Sequence, residues 1–345
     1  MSLKQTFLSH FEAVEQRLDS SLISPQGIIT LKKLCHFFPF DTTSGFGFET
    51  RLGDPAPSCD FFLKVTKDSH GVSMLAGENT VAGLSEGIFE TPFWLNIAQL
   101  FKAWGGGSDL LSKKLDLLWL EFDCTENDCQ TIPNIFFKIA GEGDSREKQW
   151  QNMLQVLGEI YRILFGIGFP DHLARSLKYC VEALPDGAGL YQTGFMVPRK
   201  TEAIRLIITG IREKDLIGYL TKIGWPGEQQ VIETMIGRYA PLFDYTVLNI
   251  HIGEVVLPFA GMEMYLRRMR QPQWEPRWKD IFNTLVSDNL ALEKKCEGLI
   301  RFCGKNTKTI LYPVQYINGI NHLKFVYKPG QPTECKAYFG TVIRE

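Results

Sequence analysis

The feature that most restricts how this chain can fold is a recurring order of patterns. Two alternating apolar–polar runs are followed by two segments of helical spacing, and then the order begins again. The clearest pair lies at 322–343. In its first run Leu323, Phe325 and Tyr327 share one face, and His322, Lys324 and Val326 share the other. Lys328, Pro329, Gly330, Gln331 and Pro332 form the turn, after which Ala337 and Phe339 oppose Lys336 and Tyr338. Further pairs are predicted at 61–67 with 72–76, 115–123 with 132–139, 190–197 with 203–210, and 246–252 with 262–266.

Helical spacing marks 3–18 and 26–37 before the first pair. Between pairs it marks 81–88 and 92–104, then 150–164 and 171–184, then 213–223 and 227–242, and finally 275–286 and 290–303. Residues 40–58, rich in glycine, threonine and proline, read as loop, and 304–318 as loop too. The triplet Gly105-Gly106-Gly107 reads as a helix stop, because no Gly-Lys-Ser/Thr follows to make a phosphate loop.

Hairpin-linked strands pair antiparallel, since parallel neighbours need a crossover. Ten such strands with helices sent to one side must split into layers or close on themselves. Closure accounts for the faces: the apolar side packs on the helices, and the other side lines a lumen. The fold class predicted is therefore α+β, a closed ten-stranded antiparallel β-barrel ringed by helices in five ββαα repeats. One domain covers 1–345, with N-terminal helices and loop over 1–58 and the barrel over 59–343. The lumenal face would carry Lys64, Trp119, Glu121, Arg205, Asn249, His251, Glu263, Tyr265, Lys324, Lys336 and Tyr338, with Gln192 the sole candidate from 190–197.

Charge and composition narrow the functions available. A net charge of −2 argues against a nucleic-acid partner, which calls for a basic surplus. No run approaches the roughly 18 apolar residues of a membrane span, and the charged, amphipathic start is unlike a secretory signal. The 8 cysteines lack CxxC spacing and read as reduced, mostly buried thiols of a cytoplasmic protein, without zinc.

A repeated ββαα order making a ten-stranded barrel resembles the ABBA (PT-barrel) prenyltransferases, which modify aromatic or peptide acceptors. The resemblance covers about 59–343 and rests on topology and lumenal chemistry, including the Lys336-Ala337-Tyr338 spacing of a basic residue and a tyrosine. It implies that a prenyl diphosphate is held by Arg205, Lys324, Lys336 and Tyr338. Trp119, Tyr265 and Asn249 would shield the allylic cation and seat the acceptor, and Glu121, His251 or Glu263 would take its proton, Glu121 being the counterpart by position of the family's glutamate. It implies no required cofactor: magnesium, used by some bacterial members, is indicated by no motif here, since neither DDxxD nor NDxxDxxxD occurs. Two other readings stay open. The barrel could cyclise or alter a prenyl diphosphate without an acceptor, or hold a small ligand without catalysis. On the structural side, Glu263 is the carboxylate expected to pair with Lys324 and Lys336.

Overall fold

The computed structural model describes residues 6–77, 91–139, 145–199, 203–267, 270–310 and 312–344. Its strands are β1 (Gly45–Arg51), β2 (Cys59–Thr66), β3 (Leu115–Phe122), β4 (Asn134–Ile139), β5 (Gly189–Phe195), β6 (Ile204–Thr209), β7 (Tyr245–Ile252), β8 (Val256–Tyr265), β9 (Gly304–Thr309), β10 (Pro313–Tyr327) and β11 (Glu334–Arg344). Each pairs antiparallel with its neighbours, in the order β11-β1-β2-β3-β4-β5-β6-β7-β8-β10-β9, and a further β10–β11 ladder joins the ends. Ten strands thus close a barrel, as expected, and β9 is an eleventh. It extends the far end of β10, pairing with 313–318 while β8 pairs with 323–327.

The outward residues follow the expected alternation. Phe61, Leu63 and Val65 of β2, Leu118, Leu120 and Phe122 of β3, Leu206 and Ile208 of β6, and Leu323 and Phe325 of β10 are all fully buried under the helices. They belong to one apolar cluster that also takes in Phe7 and Phe11 near the N-terminus, Trp278 and Phe339. At about 25 cal/mol per Å² of apolar surface removed from water, this two-layer contact is the main drive to close the sheet. The hairpin connections β1–β2, β3–β4, β5–β6, β7–β8 and β10–β11 all lie at one end of the barrel. The helical connections lie at the other.

Three sequence expectations are corrected. The 40–58 segment is not all loop: its Gly45–Arg51 portion is β1, the true partner of β2, so the barrel begins before 59. The glycines that suggested a loop are required by packing, since a Cβ on Gly47 would lie 2.4 Å from the Phe62 ring and 2.5 Å from the Phe339 carbonyl oxygen. Residues 72–76 are not a strand but part of a short helix, His70–Leu75. A five-residue apolar run carries too few turns of pattern to tell the two apart. The 304–318 segment forms β9 and the start of β10; β9 (GKNTKT) is exposed and polar, an edge strand with lysines and no apolar face to announce it. The helix expected at 81–88 lies outside the described residues. Among those residues, no helix is long and apolar enough to cross a membrane.

Candidate active site in the barrel lumen

The alternation that sends apolar residues outward sends the polar ones to a cavity of about 800 Å3, open at the hairpin end. Glu121, Arg205, Asn249, His251, Lys324, Lys336 and Tyr338 all line it. They come from β3, β6, β7, β10 and β11, so closure of the sheet is what brings them together. Trp119, Glu263 and Tyr265 do not line it. They sit deeper, where the lumen is filled by side chains: Phe136, Met196, Ile207 and Val247 with Trp119, Tyr191 and Tyr265 packed on them. Phe62 caps this layer edge-on to Trp119, ring centroids 5.3 Å apart. Lys64, also expected in the lumen, lies 5.8 Å from the centre of the Trp119 ring. Of β5, Tyr191 joins the lumenal layer beside the expected Gln192, which pairs with the lumenal Ile207, because a bulge between Leu190 and Gln192 inserts one extra residue there.

Two ion clusters shape the cavity floor. Lys324 Nζ lies 2.6 Å from Asn249 Oδ1 and 3.3 Å from Glu263 Oε1. Burial pushes Glu263 up, but His322, Lys324 and the Tyr265 hydroxyl, 2.7 Å away, hold its carboxyl down near 2. Glu263 is therefore a fixed anion under Lys324 and a poor proton acceptor. Burial likewise lowers Lys324, with Glu263 opposing that shift. His322 is stacked on Tyr338 at 4.3 Å between ring centres, and burial lowers it to about 4.

The second cluster was not foreseen. Glu49 of β1 accepts from Lys336 Nζ at 2.5 Å and from the Tyr338 hydroxyl. Lys336 therefore pairs with Glu49 rather than with Glu263. Burial would raise Glu49, yet Lys336 above all, with Tyr338 and Lys324, holds it well below the usual carboxylate range. The signal in the sequence was the alternation Gly45-Phe46-Gly47-Phe48-Glu49, obscured by its glycines. Asp60, Asp123, Arg51 and Arg199 are further lining residues that sequence reasoning missed. Arg199 grips Asp123 through two hydrogen bonds, 3.0 and 2.8 Å.

Against this background two groups stand out. Arg205 has no carboxylate partner within ion-pair distance among the described residues; its Nε donates to His251 Nε2 at 3.3 Å, and its guanidinium lies 5.1 Å from the centre of the Phe136 ring. Burial, then Arg205, Lys324 and Arg199, drive His251 down to about 2. Of the three groups expected to take the proton, His251 has its Nε2 engaged by Arg205 and is surrounded by cations, which disfavours its protonated form. The other group is Glu121. Burial raises its carboxyl to about 7, with Glu49 adding to the shift and Arg205 opposing it. A carboxylate poised near neutrality is suited to proton transfer.

The mouth is shaped by the β3–β4 connection. Cys124 and Cys129, expected to be reduced, are disulfide-bonded. The loop doubles back through Thr125 N–H to Asp128 O and Gln130 N–H to Asp123 O, which brings the two cysteines together. The other 6 cysteines are free and buried. Cysteine usage therefore no longer argues for a reducing compartment. Among the described residues no group of three or more His, Cys, Asp or Glu is placed to hold a metal ion.

A ten-stranded antiparallel barrel ringed by helices, with a charged cavity at its hairpin end and an aromatic layer beneath, has the architecture of the ABBA prenyltransferases. Solved structures bear this out over nearly the whole chain. AnaPT from Neosartorya fischeri superposes with a TM-score of 0.51 at 13% identity, over 97% of this chain and 92% of that one. The prenyltransferase PriB gives 0.51 at 12%, covering 97% and 96%. The 5-dimethylallyltryptophan synthase from Streptomyces coelicolor gives 0.50 at 13%, covering 97% of each. At these identities the likeness is one of fold. No family model matches the sequence, and no curated protein matches it.

Proposed function

We propose that this barrel transfers a prenyl group from a prenyl diphosphate to an aromatic acceptor inside its lumen. The observation that carries the reading is the convergence of a guanidinium, Arg205, with no carboxylate partner among the described residues, and a carboxyl raised to neutrality, Glu121, in one cavity floored by aromatic rings. Support by analogy comes from PriB, a structural neighbour described in complex with L-tryptophan and dimethylallyl thiolodiphosphate.

In this reading the donor diphosphate lies on the β6–β7–β10 side. Arg205 and Lys324 face it, and so does Asn249, whose Nδ2 is buried and has no hydrogen-bond partner among the described residues. Because Asn249 Oδ1 is held by Lys324, that free N–H is fixed as a donor. Heterolysis breaks the C1–O bond, and the electron pair leaves with the diphosphate. Positive donors placed where that charge grows stabilise the transition state more than the ground state. The aromatic layer below, with Tyr338 and Phe62 at its top, faces the allylic cation. The acceptor ring supplies two electrons for the new bond, and its proton passes to Glu121. No metal enters the scheme, and donor binding survives chelation.

The test is to incubate the protein with dimethylallyl diphosphate and indole acceptors and to read product masses. Glu121→Gln lowers the rate by about 10²–10⁴-fold, the usual range for a lost general base. In the wild type kcat/KM rises with pH through about 7, as Glu121 loses its proton, and Glu121→Gln removes that limb. A Glu121→Gln protein with unchanged rate and pH profile excludes Glu121 as the base.

A further inference from the structure

The proposed transfer makes no use of the disulfide between Cys124 and Cys129. The bond closes the β3–β4 connection into a small loop at the open end of the barrel. Asp123, Cys124, Thr125, Glu126, Asp128 and Gln130 of this connection all line the cavity, more than any other hairpin connection supplies among the described residues. The loop is therefore one wall of the mouth, and it has almost no core of its own. From 124 to 131 only the two cysteines are buried; every other residue is exposed.

Ordering so exposed a stretch costs conformational entropy, which a few hydrogen bonds open to water offset poorly. Such bonds run from Thr125 N–H to Asp128 O at 2.7 Å, from Gln130 N–H to Asp123 O at 3.0 Å, and from the Thr30 hydroxyl to Glu126 O at 2.9 Å. The disulfide adds the restraint that these lack. Its hold on the unfolded chain is small, because the cysteines are only 5 residues apart and the entropy lost in closing a loop grows with loop length. The barrel has its own apolar cluster and does not depend on the bond to fold. A bond that adds little to the whole fold and fixes one wall of a cavity acts locally. The other 6 cysteines are buried thiols pushed up by burial, which keeps them inert, so thiol chemistry is confined to this pair.

We propose that Cys124–Cys129 is a thiol–disulfide exchange site whose redox state sets how firmly the mouth is walled. Cys124 lines the cavity, so a small dithiol reaches the bond from the open end. One thiolate of the dithiol attacks a sulfur of the pair, which forms a mixed disulfide and releases the other cysteine. The second thiolate of the reductant then closes its own disulfide and frees the first cysteine. Cys124 and Cys129 have gained two electrons and two protons, and the dithiol leaves oxidised. Once reduced, the loop moves freely, the Cys124 N–H no longer holds Asp60 at 2.8 Å, and water enters from that side. A ligand in the cavity is then held less tightly. The exchange site rests on the loop and the cavity; only the ligand used to probe it comes from the transferase reading.

Hydrogen exchange and a donor analogue test this together. The protein is kept oxidised or treated with dithiothreitol without denaturant, and the double variant Cys124→Ser, Cys129→Ser stands in for the reduced form. Dithiothreitol is expected to open Cys124 and Cys129 to alkylation and to speed amide exchange over 125–130 by about tenfold or more, with β3 and β4 as protected as before. Reoxidation restores the slow exchange. Affinity for dimethylallyl thiolodiphosphate, read by calorimetry, falls about tenfold in the reduced protein and in the variant. A bond that resists dithiothreitol in the folded protein, exchange over 125–130 that reduction leaves unchanged, or exchange that quickens throughout the barrel overturns the proposal. So does an affinity that is the same in all three forms. No binding of the analogue by any form instead overturns the transferase reading, and the exchange rates then decide the fate of the site by themselves.

Discussion

The Lys336–Glu49 pair gives the sharpest test of how this lumen is held together. The two side chains are only 13% and 11% exposed, and Nζ lies 2.5 Å from Oε1. Lys336→Ala removes the cation and leaves a buried carboxylate whose one remaining close donor is the Tyr338 hydroxyl. Breaking a buried pair on one side costs about 3–5 kcal/mol; with that hydroxyl kept, the loss is set at the lower end, about 3 kcal/mol. Sign follows from protonation. In the wild type the Glu49 carboxyl is depressed in the folded state, so its contribution is present above the unfolded value of about 4.3 and is lost as pH falls through the folded value. In Lys336→Ala burial acts on Glu49 against only the Tyr338 hydroxyl and the more distant Lys324, and its folded value rises above the unfolded one. The variant is then penalised most at pH 8 and least at pH 5, where the carboxyl can take a proton. Adding Glu49→Gln removes the stranded charge and recovers most of the loss at pH 8. The assay is urea unfolding of wild type, both single variants and the double variant at pH 5 and pH 8. A cost below about 1 kcal/mol for Lys336→Ala, or one that neither varies with pH nor is relieved by Glu49→Gln, refutes this account of the pair.

His251→Phe takes away the acceptor for the Arg205 Nε–H, so donor KM rises about tenfold while kcat changes less. The pH profile between 5 and 9 stays put, because His251 titrates near 2; loss of a limb near neutrality in steady-state kinetics would return His251 to the role of base. Lys295, wholly buried, holds the β1–β2 hairpin at the mouth through its Nζ, 2.8 Å from both the Arg51 and Ala56 carbonyl oxygens. Lys295→Met lowers unfolding free energy by about 1.5–3 kcal/mol, and hydrogen exchange, if it leaves 51–58 as protected as in the wild type, counts against that role. Gly194→Ala puts a methyl 2.3 Å from the Phe136 ring and 2.6 Å from the Ile135 carbonyl oxygen. It costs about 1–3 kcal/mol by overpacking, and a melting curve unchanged from the wild type contradicts the close contact.

What the sequence by itself determined is the set of local rules. Alternation in 115–122, 204–209, 245–252 and 322–327 assigned nearly every inward and outward residue, because a strand has a strict period of two and one face must be apolar. From that alternation came the barrel, and with it the gathering of Glu121, Arg205, Asn249, His251, Lys324, Lys336 and Tyr338 in one cavity. What only the tertiary structure decided is everything set by partners far apart in the chain. Whether Gly45–Arg51 is a strand depends on the β2 and β11 backbones and the Phe62 ring beside it, none of which its own seven residues encode. Lys336 chose Glu49 over Glu263 because β11 lies next to β1, 287 residues away in sequence. Tyr191 joined Gln192 in the lumen because one bulge inserted an extra residue. Depth along the lumen is likewise invisible to a pattern of period two. That is why Trp119, Glu263 and Tyr265 share a face with the cavity residues and yet lie beneath them. The roles followed from these placements: a buried ionisable group takes its charge state from neighbours that only closure of the barrel supplies.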